Sequence, residues 1–321
     1  MNKKLKTTLS VILSLIFIFS MTSIVFAAEL PNGAVLISDS KVIKTDEMKI
    51  IAYRGLSACA PENTLSAISL AGRSGCYGCE IDVQPTIDGW VCFSDLTLDA
   101  KTSASGVVSL FTTSELSSVV ITKGNNIENY PNEKIPTISE AINVCKIYDM
   151  KPYLVIKNGS VDEVKTLLST LKLLGIISST TIISSNSSIL SAAKAEGAKT
   201  AYNALAITTV SYSTCKTNGY NGIYASSTTT NDTSVMKTAV ANNIEVLCYG
   251  INTLASAESF YKNGIKTVMS TSLVQHAPTA EKITYSIFTN ISQFLKNIFD
   301  FFAKLIRKVI IMITGKAIEN I

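Results

Sequence analysis

Between residues 49 and 272 the chain alternates short β-rich apolar runs with stretches whose apolar positions recur at helical spacing. The extended runs fall at 50–53, 79–83, 90–93, 153–156, 180–184, 199–202, 222–225, 244–249 and 267–269. Helical spacing occupies 64–73, 138–148, 161–173, 187–196, 233–242 and 255–262. Strands alternating with helices imply parallel pairing through crossover helices, and eight such units close a barrel. Nine runs are one too many. Only the turn around Ile87-Asp88-Gly89 separates the second run from the third. A parallel crossover needs roughly a dozen residues, so these two runs are expected to form a local hairpin, one of them accessory. The predicted fold is an α/β protein of the (β/α)8 TIM-barrel type over 49–277, after a lead-in at 29–48.

The two ends read differently. Lys3, Lys4 and Lys6 form a basic head, residues 9–19 an apolar core, and Val25-Phe26-Ala27 a small-residue end. That layout predicts a secretory signal peptide over 1–28; the alternative is an uncleaved N-terminal anchor. Either places the remaining domain outside the cytoplasm, secreted or held at the cell surface. Over 278–321, Ile287, Ile291, Phe294, Ile298, Phe302, Leu305, Val309 and Ile313 recur at helical spacing. Lys296, Asp300, Lys304, Arg307 and Lys308 sit largely off that stripe and interrupt it too often for a spanning segment. An amphipathic helix is expected there, packed on the barrel, on a second copy of the chain, or on a membrane surface.

Composition narrows the picture. The net charge is +4 and the lysines are scattered, which gives no nucleic-acid footprint. Cys79, Cys92 and Cys248, three of seven cysteines, lie in apolar runs as buried thiols do. Cys76 and Cys79 make a C-x-x-C without the second pair or nearby histidine of a zinc site. A bridge such as Cys59–Cys76 stays open.

The candidate chemistry starts at Cys79-Glu80-Ile81-Asp82-Val83. On a strand Glu80 and Asp82 share one face, while Cys79, Ile81 and Val83 take the other, which packs under helices. In a barrel the two acids then point inward near the C-terminal mouth, where buried like charges need a cation or basic groups. Tyr153, Val155 and Lys157 share a face in the same way, so Lys157 reaches that mouth, and Arg54 follows the first run. Two acids beside two fixed cations suit a phosphate next to a hard divalent ion. A purely structural charge network is the alternative.

At these residues the chain resembles the glycerophosphodiester phosphodiesterase family. The family's H-R-G-x-x-x-x-x-P-E-N-T is similar to Tyr53-Arg54-Gly55 followed by Pro61-Glu62-Asn63-Thr64. E-[LI]-D-V-x-x-T-x-D-G resembles Glu80-Ile81-Asp82-Val83 through Thr86, Asp88 and Gly89. H-D-x-T-L-D resembles Ser94-Asp95-Leu96-Thr97-Leu98-Asp99, and I-P-T-L-x-E resembles Ile135-Pro136-Thr137-Ile138-Ser139-Glu140. E-[IL]-K corresponds to Val155-Ile156-Lys157, and W-T-V-N to Tyr249-Gly250-Ile251-Asn252. The resemblance implies a phosphodiesterase (β/α)8 barrel that cleaves a glycerophosphodiester with a metal ion. It also implies a histidine acid and a histidine base, Ca²⁺ or Mg²⁺ on a glutamate, an aspartate and a second glutamate, and phosphate on the arginine and lysine.

The departures carry as much weight. The resemblance keeps Arg54 and Lys157 for phosphate and Glu80 and Asp82 for metal. It sets Tyr53 and Ser94 at the histidine positions, Val155 at the second glutamate, and Thr271-Ser272 at a later T-D. A phenol titrates near ~10 and a serine hydroxyl does not titrate usefully, so neither exchanges protons well at neutral pH. A placed acid or base is worth roughly 10²–10⁴-fold in rate. Calcium takes about six to eight oxygen ligands, so losing a carboxylate weakens the ion. His276, the single histidine, follows the last run and is the remaining imidazole candidate, with Asp95 as another weak base. The expectation is a barrel that binds a glycerophosphodiester, a phospholipid head group or a polyol-phosphate polymer with little turnover. The alternatives are an active metal-dependent phosphodiesterase with a modified acid or base, and a surface assembly protein using its C-terminal helix.

Overall fold

The computed structural model describes residues 29–279. The segments expected as a signal peptide and, beyond residue 279, as an amphipathic helix lie outside the described residues. Eleven strands are present among those described: β1 (Val35–Leu36), β2 (Lys49–Tyr53), β3 (Gly78–Pro85), β4 (Trp90–Cys92), β5 (Lys151–Ile156), β6 (Thr181–Ser184), β7 (Lys199–Asn203), β8 (Gly222–Ser226), β9 (Glu245–Tyr249), β10 (Thr267–Ser270) and β11 (Leu273–Val274). The helices are α1 (Leu65–Arg73), α2 (Thr113–Leu116), α3 (Ile138–Ile147), α4 (Val161–Leu173), α5 (Ser187–Ala195), α6 (Thr209–Asn218), α7 (Thr233–Ala241) and α8 (Leu254–Lys262).

Eight strands pair in parallel in the cyclic order β2-β3-β5-β6-β7-β8-β9-β10, and β10 returns to β2, with Val268 opposite Ile50. The sheet is thereby closed into a TIM-type barrel. β4 stands outside the count. It pairs antiparallel with β3, Val83 opposite Cys92, as the short turn at 87–89 requires. β1 and β11 form a separate two-stranded parallel sheet.

Side-chain alternation separates the two cores. Ile51, Tyr153, Val155, Ile183, Ala201, Tyr224, Leu247 and Met269 fill the barrel interior. Their strand neighbours Ile50, Ala52, Cys79, Ile81, Val83, Leu154, Ile156 and Ile182 face the helices, where they join Ile68, Ile142, Leu167 and Leu190. Helix starts are set by side-chain caps: Thr64 for α1, Thr137 for α3, Ser160 for α4, Thr208 for α6 and Thr253 for α8 accept backbone N–H groups of the first turn. All seven cysteines are free and buried, so no Cys59–Cys76 bridge exists. Burial pushes the Cys59 thiol up to about 11 and the Cys76 thiol up to about 12.

The segment between β4 and α3 has a small core of its own. Val91, Phe93, Leu98, Val108, Leu116, Ile121 and Ile135 pack together, apart from the main core. Asn125 and Asn126 tie this segment to the loop after β2 by donating to the carbonyls of Ser57, Ala58 and Cys59.

Candidate functional site

The site begins at the end of β2. Arg54 adopts φ 58° and Gly55 φ 76°, so the chain makes a left-handed turn as it leaves the barrel. Glycine is required at the second position: a Cβ there would lie 2.7 Å from the Ala67 backbone carbon. Arg54 has no such exemption, and a left-handed non-glycine residue is a strained conformation of the kind that collects at functional sites. The turn aims its backbone N–H inward, where it donates to Glu80 Oε2 at 2.8 Å.

From β3, Glu80 and Asp82 point into the barrel, 0% and 1% exposed. Their surroundings differ. Asp82 Oδ2 is 2.8 Å from Arg54 Nε, and its Oδ1 is 2.8 Å from Lys157 Nζ, beyond the end of β5. The Asp82 backbone N–H donates to Asn63 Oδ1 at 3.0 Å. Glu80 Oε1, by contrast, is buried with no hydrogen-bond partner. Burial raises the Glu80 pKa well above the usual carboxylate range, and the charge of Asp82 pushes the same way.

A second group sits beside the first, built on the loops after β2 and β4. Glu62 Oε2 takes Arg54 Nη1 at 2.8 Å, while its Oε1 takes Lys101 Nζ at 2.7 Å. The Ser94 hydroxyl donates to the same Oε1 at 2.7 Å and lies 2.9 Å from Lys101 Nζ. Asp95 Oδ1 accepts from Lys101 at 3.0 Å. Burial would raise the Glu62 pKa, but the charge of Arg54 and the hydrogen bonds from Lys101, Arg54 and Ser94 hold it down to about 2. For Lys101, burial is outweighed by Glu62 and Asp95, which raise its pKa. Lys101 is therefore an ammonium and not a base.

Aromatic rings complete the mouth. Tyr249 stacks on Tyr53 at 5.0 Å and on Tyr224 at 4.8 Å between ring centroids. The Arg54 guanidinium covers Tyr53 at 4.9 Å. Burial, and then the charge of Glu80, push the Tyr53 phenol further up from its ordinary value.

Apart from Tyr53, which immediately precedes it, these residues lie within the span of a known family. The model of the glycerophosphoryl diester phosphodiesterase family matches residues 54–271. The chain belongs to that family. Glycerophosphodiester phosphodiesterase 1 of Bos taurus is 36% identical over 114 residues, which is 35% of this chain and 34% of that protein. A glycerophosphodiester phosphodiesterase of Caldanaerobacter subterraneus subsp. tengcongensis is 37% identical over 114 residues, 35% of this chain and 46% of that protein. The matched stretch thus spans about a third of the first relative and under half of the second. Among solved structures, an Oleispira antarctica phosphodiesterase in complex with the product sn-glycerol-3-phosphate superposes with TM-score 0.63 and 28% identity, over 70% of this chain and 92% of that one. A Galdieria sulphuraria structure at 16% identity, TM-score 0.62, covering 72% of this chain and 96% of that one, shares the fold.

A divalent ion is what the glycerophosphoryl diester phosphodiesterase resemblance implies between Glu80 and Asp82. The side chains present do not fit one. Of the four carboxylate oxygens on these two residues, three are held by Arg54 or Lys157, and only Glu80 Oε1 lacks a protein partner. Val155, opposite Asp82 on β5, is apolar and 0% exposed. No group of three His, Cys, Asp or Glu side chains among the described residues is placed to hold an ion. Hard cations want about six oxygens or more, so an ion here would have to displace two cations from Asp82. In this arrangement Asp82 is neutralised by Arg54 and Lys157.

The remaining candidates separate cleanly. Tyr53, Arg54, Glu80, Asp82, Ser94 and Lys157 meet at the C-terminal mouth. Asp95 is there too, with its Oδ1 held by Ser94 and Lys101. His276 is not. Its backbone N–H bonds to Ser74, and its ring packs on Gly75, in the turn between α1 and the start of β3. That turn belongs to the N-terminal end of the barrel, so His276 is corrected as a substitute base. Lys101, Asn63 and Tyr224 were not singled out by sequence. Asn63 had a signal in the Pro61-Glu62-Asn63-Thr64 motif, whereas Lys101 sits in an irregular loop with no periodicity to place it.

Proposed function

We propose that the barrel binds the phosphate group of a glycerophosphodiester or polyol phosphate at its C-terminal mouth and turns it over slowly or not at all. The observation that carries this reading is the pairing of two convergent cations with two side chains unfit to move protons. Arg54 and Lys157 both reach Asp82 from different loops, so a phosphate entering above Asp82 meets both. Arg54 supplies planar donors and Lys157 a point charge with 39% of its side chain open to solvent. Tyr53 and Ser94 stand where the family resemblance sets the acid and base. The buried phenol holds its proton more tightly than free tyrosine, and the serine hydroxyl is engaged by Glu62, Asp95 and Lys101. The solved relative from Oleispira antarctica, with its product sn-glycerol-3-phosphate, supports a glycerol phosphate as the ligand class. The signal-like N-terminus supports a place outside the cytoplasm, where a phospholipid head group or a polyol-phosphate polymer is accessible.

The test is a calcium-supplemented diesterase assay with sn-glycero-3-phosphocholine beside a binding titration of the same compound. Wild type is expected to bind and to release no product above background. The variant carrying Tyr53→His, Ser94→His and Val155→Glu, which restores both imidazoles and the third carboxylate, is expected to gain metal-dependent turnover. Hydrolysis by wild type that Glu80→Ala abolishes overturns the reading.

A further inference from the structure

We propose that Lys101 is a third phosphate-binding cation that replaces the charge, though not the proton transfer, of the imidazole missing at position 94, and that it biases the site towards phosphomonoester dianions over diester monoanions. This deepens the binding reading above and rests on it. Three observations support it. The Lys101 ammonium lies 2.9 Å from Ser94 Oγ, so a fixed positive charge stands beside the position where the family resemblance sets an imidazole. Glu62 bridges it to Arg54, one carboxylate oxygen to each, so the two cations are held side by side and not free to drift. The loop bearing Lys101 is anchored by its own apolar core, which includes Leu98 and Ile121. Glu62 forces Lys101 to the same side of the mouth as Arg54, while Lys157 approaches Asp82 through its other oxygen.

Charge arithmetic makes Lys101 matter more to a dianion than to a monoanion. Arg54, Lys101 and Lys157 face the carboxylates Glu62, Asp82 and Asp95 across ion pairs of 2.7–3.0 Å. With all three cations in place the paired set is balanced, and removing Lys101 leaves an excess negative charge. Coulomb energy scales with the product of charges. A lost positive charge that weakens a monoanion about 10-fold therefore weakens a dianion about 100-fold at the same distance. A phosphomonoester carries close to two charges above its second pKa of about 6, whereas a diester carries one.

The experiment is isothermal titration of sn-glycerol 3-phosphate and sn-glycero-3-phosphocholine at pH 8 into wild type, Lys101→Met, Lys101→Gln and Lys101→Arg, with thermal melting of each protein. The expected result is a preference of wild type for the monoester and a loss in Lys101→Met that is about tenfold larger for the monoester than for the diester. Lys101→Arg restores most of both, and Lys101→Gln behaves as Lys101→Met, serving in its place should that variant fail to fold. Equal losses for the two ligands would mean that Lys101 only shapes the loop, and would overturn the inference, as would unchanged binding. Lack of binding by folded wild type to either ligand refutes the binding reading itself, an outcome distinct from loss of the monoester preference alone.

Discussion

The two ends of the barrel handle charge in opposite ways. At the N-terminal end a cavity of about 490 Å³ is rimmed by Lys49, Lys199, Lys266 and Glu245, with the Tyr153 hydroxyl 3.4 Å from the Glu245 carboxylate. Its lysines are exposed, and its ion pair, Lys266 with Glu47, is open to solvent. At the C-terminal mouth the space bounded by Glu62, Ser94 and Lys101 is only about 10 Å³, yet Glu62 and Lys101 each have an ionic partner at 3.0 Å or less. Volume and chemistry thus point to different ends. Dispersed, hydrated charges cost the fold little, whereas an acid as buried as Asp82 persists only where its partners are built in around it.

The comparison is most exposed to Asp82→Asn. Removing that charge leaves Arg54 with Glu62 alone and Lys157 beside an amide, and breaking a buried pair typically costs about 3–5 kcal/mol. Urea unfolding should show a loss of that size; a loss under about 1 kcal/mol, the range of surface pairs, would erase the contrast between the two ends. Glu62→Gln is expected to come next, with a cost of roughly 1–3 kcal/mol at pH 7 because its partners are partly solvated. Its folded pKa of about 2 lies below the ordinary 4.5. The stabilisation it gives is therefore present above pH 4.5 and lost as pH falls towards 2. Wild-type stability should decline across that window more steeply than that of Glu62→Gln, and parallel acid limbs in chemical unfolding would refute the assignment. At the opposite end, His276→Ala and Lys199→Ala should each change stability by no more than about 0.5 kcal/mol and leave ligand affinity unchanged.

The barrel was readable from the sequence because its information is local. Each of the nine extended runs coincides with a strand, and the short turn at 87–89 pointed to a hairpin with one accessory member, which the structure shows to be β4. Helix α6 was missed for a physical reason: Thr209–Asn218 buries only Ser211 and Cys215, so no apolar stripe marks it. Its signals are a Thr208 cap and Gly219 in the left-handed region at the other end. Within the site, strand alternation placed Glu80, Asp82 and Lys157 on inward faces. It could not show that both oxygens of Asp82 are taken by cations, because that depends on rotamers at the ends of two loops. The Lys101 ammonium was hidden for the same reason. His276 looked plausible because it follows a barrel strand. The chain at β11 instead turns back towards Ser74, carrying the ring away from the mouth.

The independent packing of residues 91–135 has a consequence for how such a mouth diversifies. One wall of the ligand site stands on its own miniature foundation and meets the barrel through the β3–β4 hairpin, a few loop hydrogen bonds and the Glu62 bridge. Changes within that small core reach the eight-stranded frame through those links. Ser94 and Lys101 can then vary with their own small core, while Arg54, Glu62, Asp82 and Lys157 stay with the barrel frame.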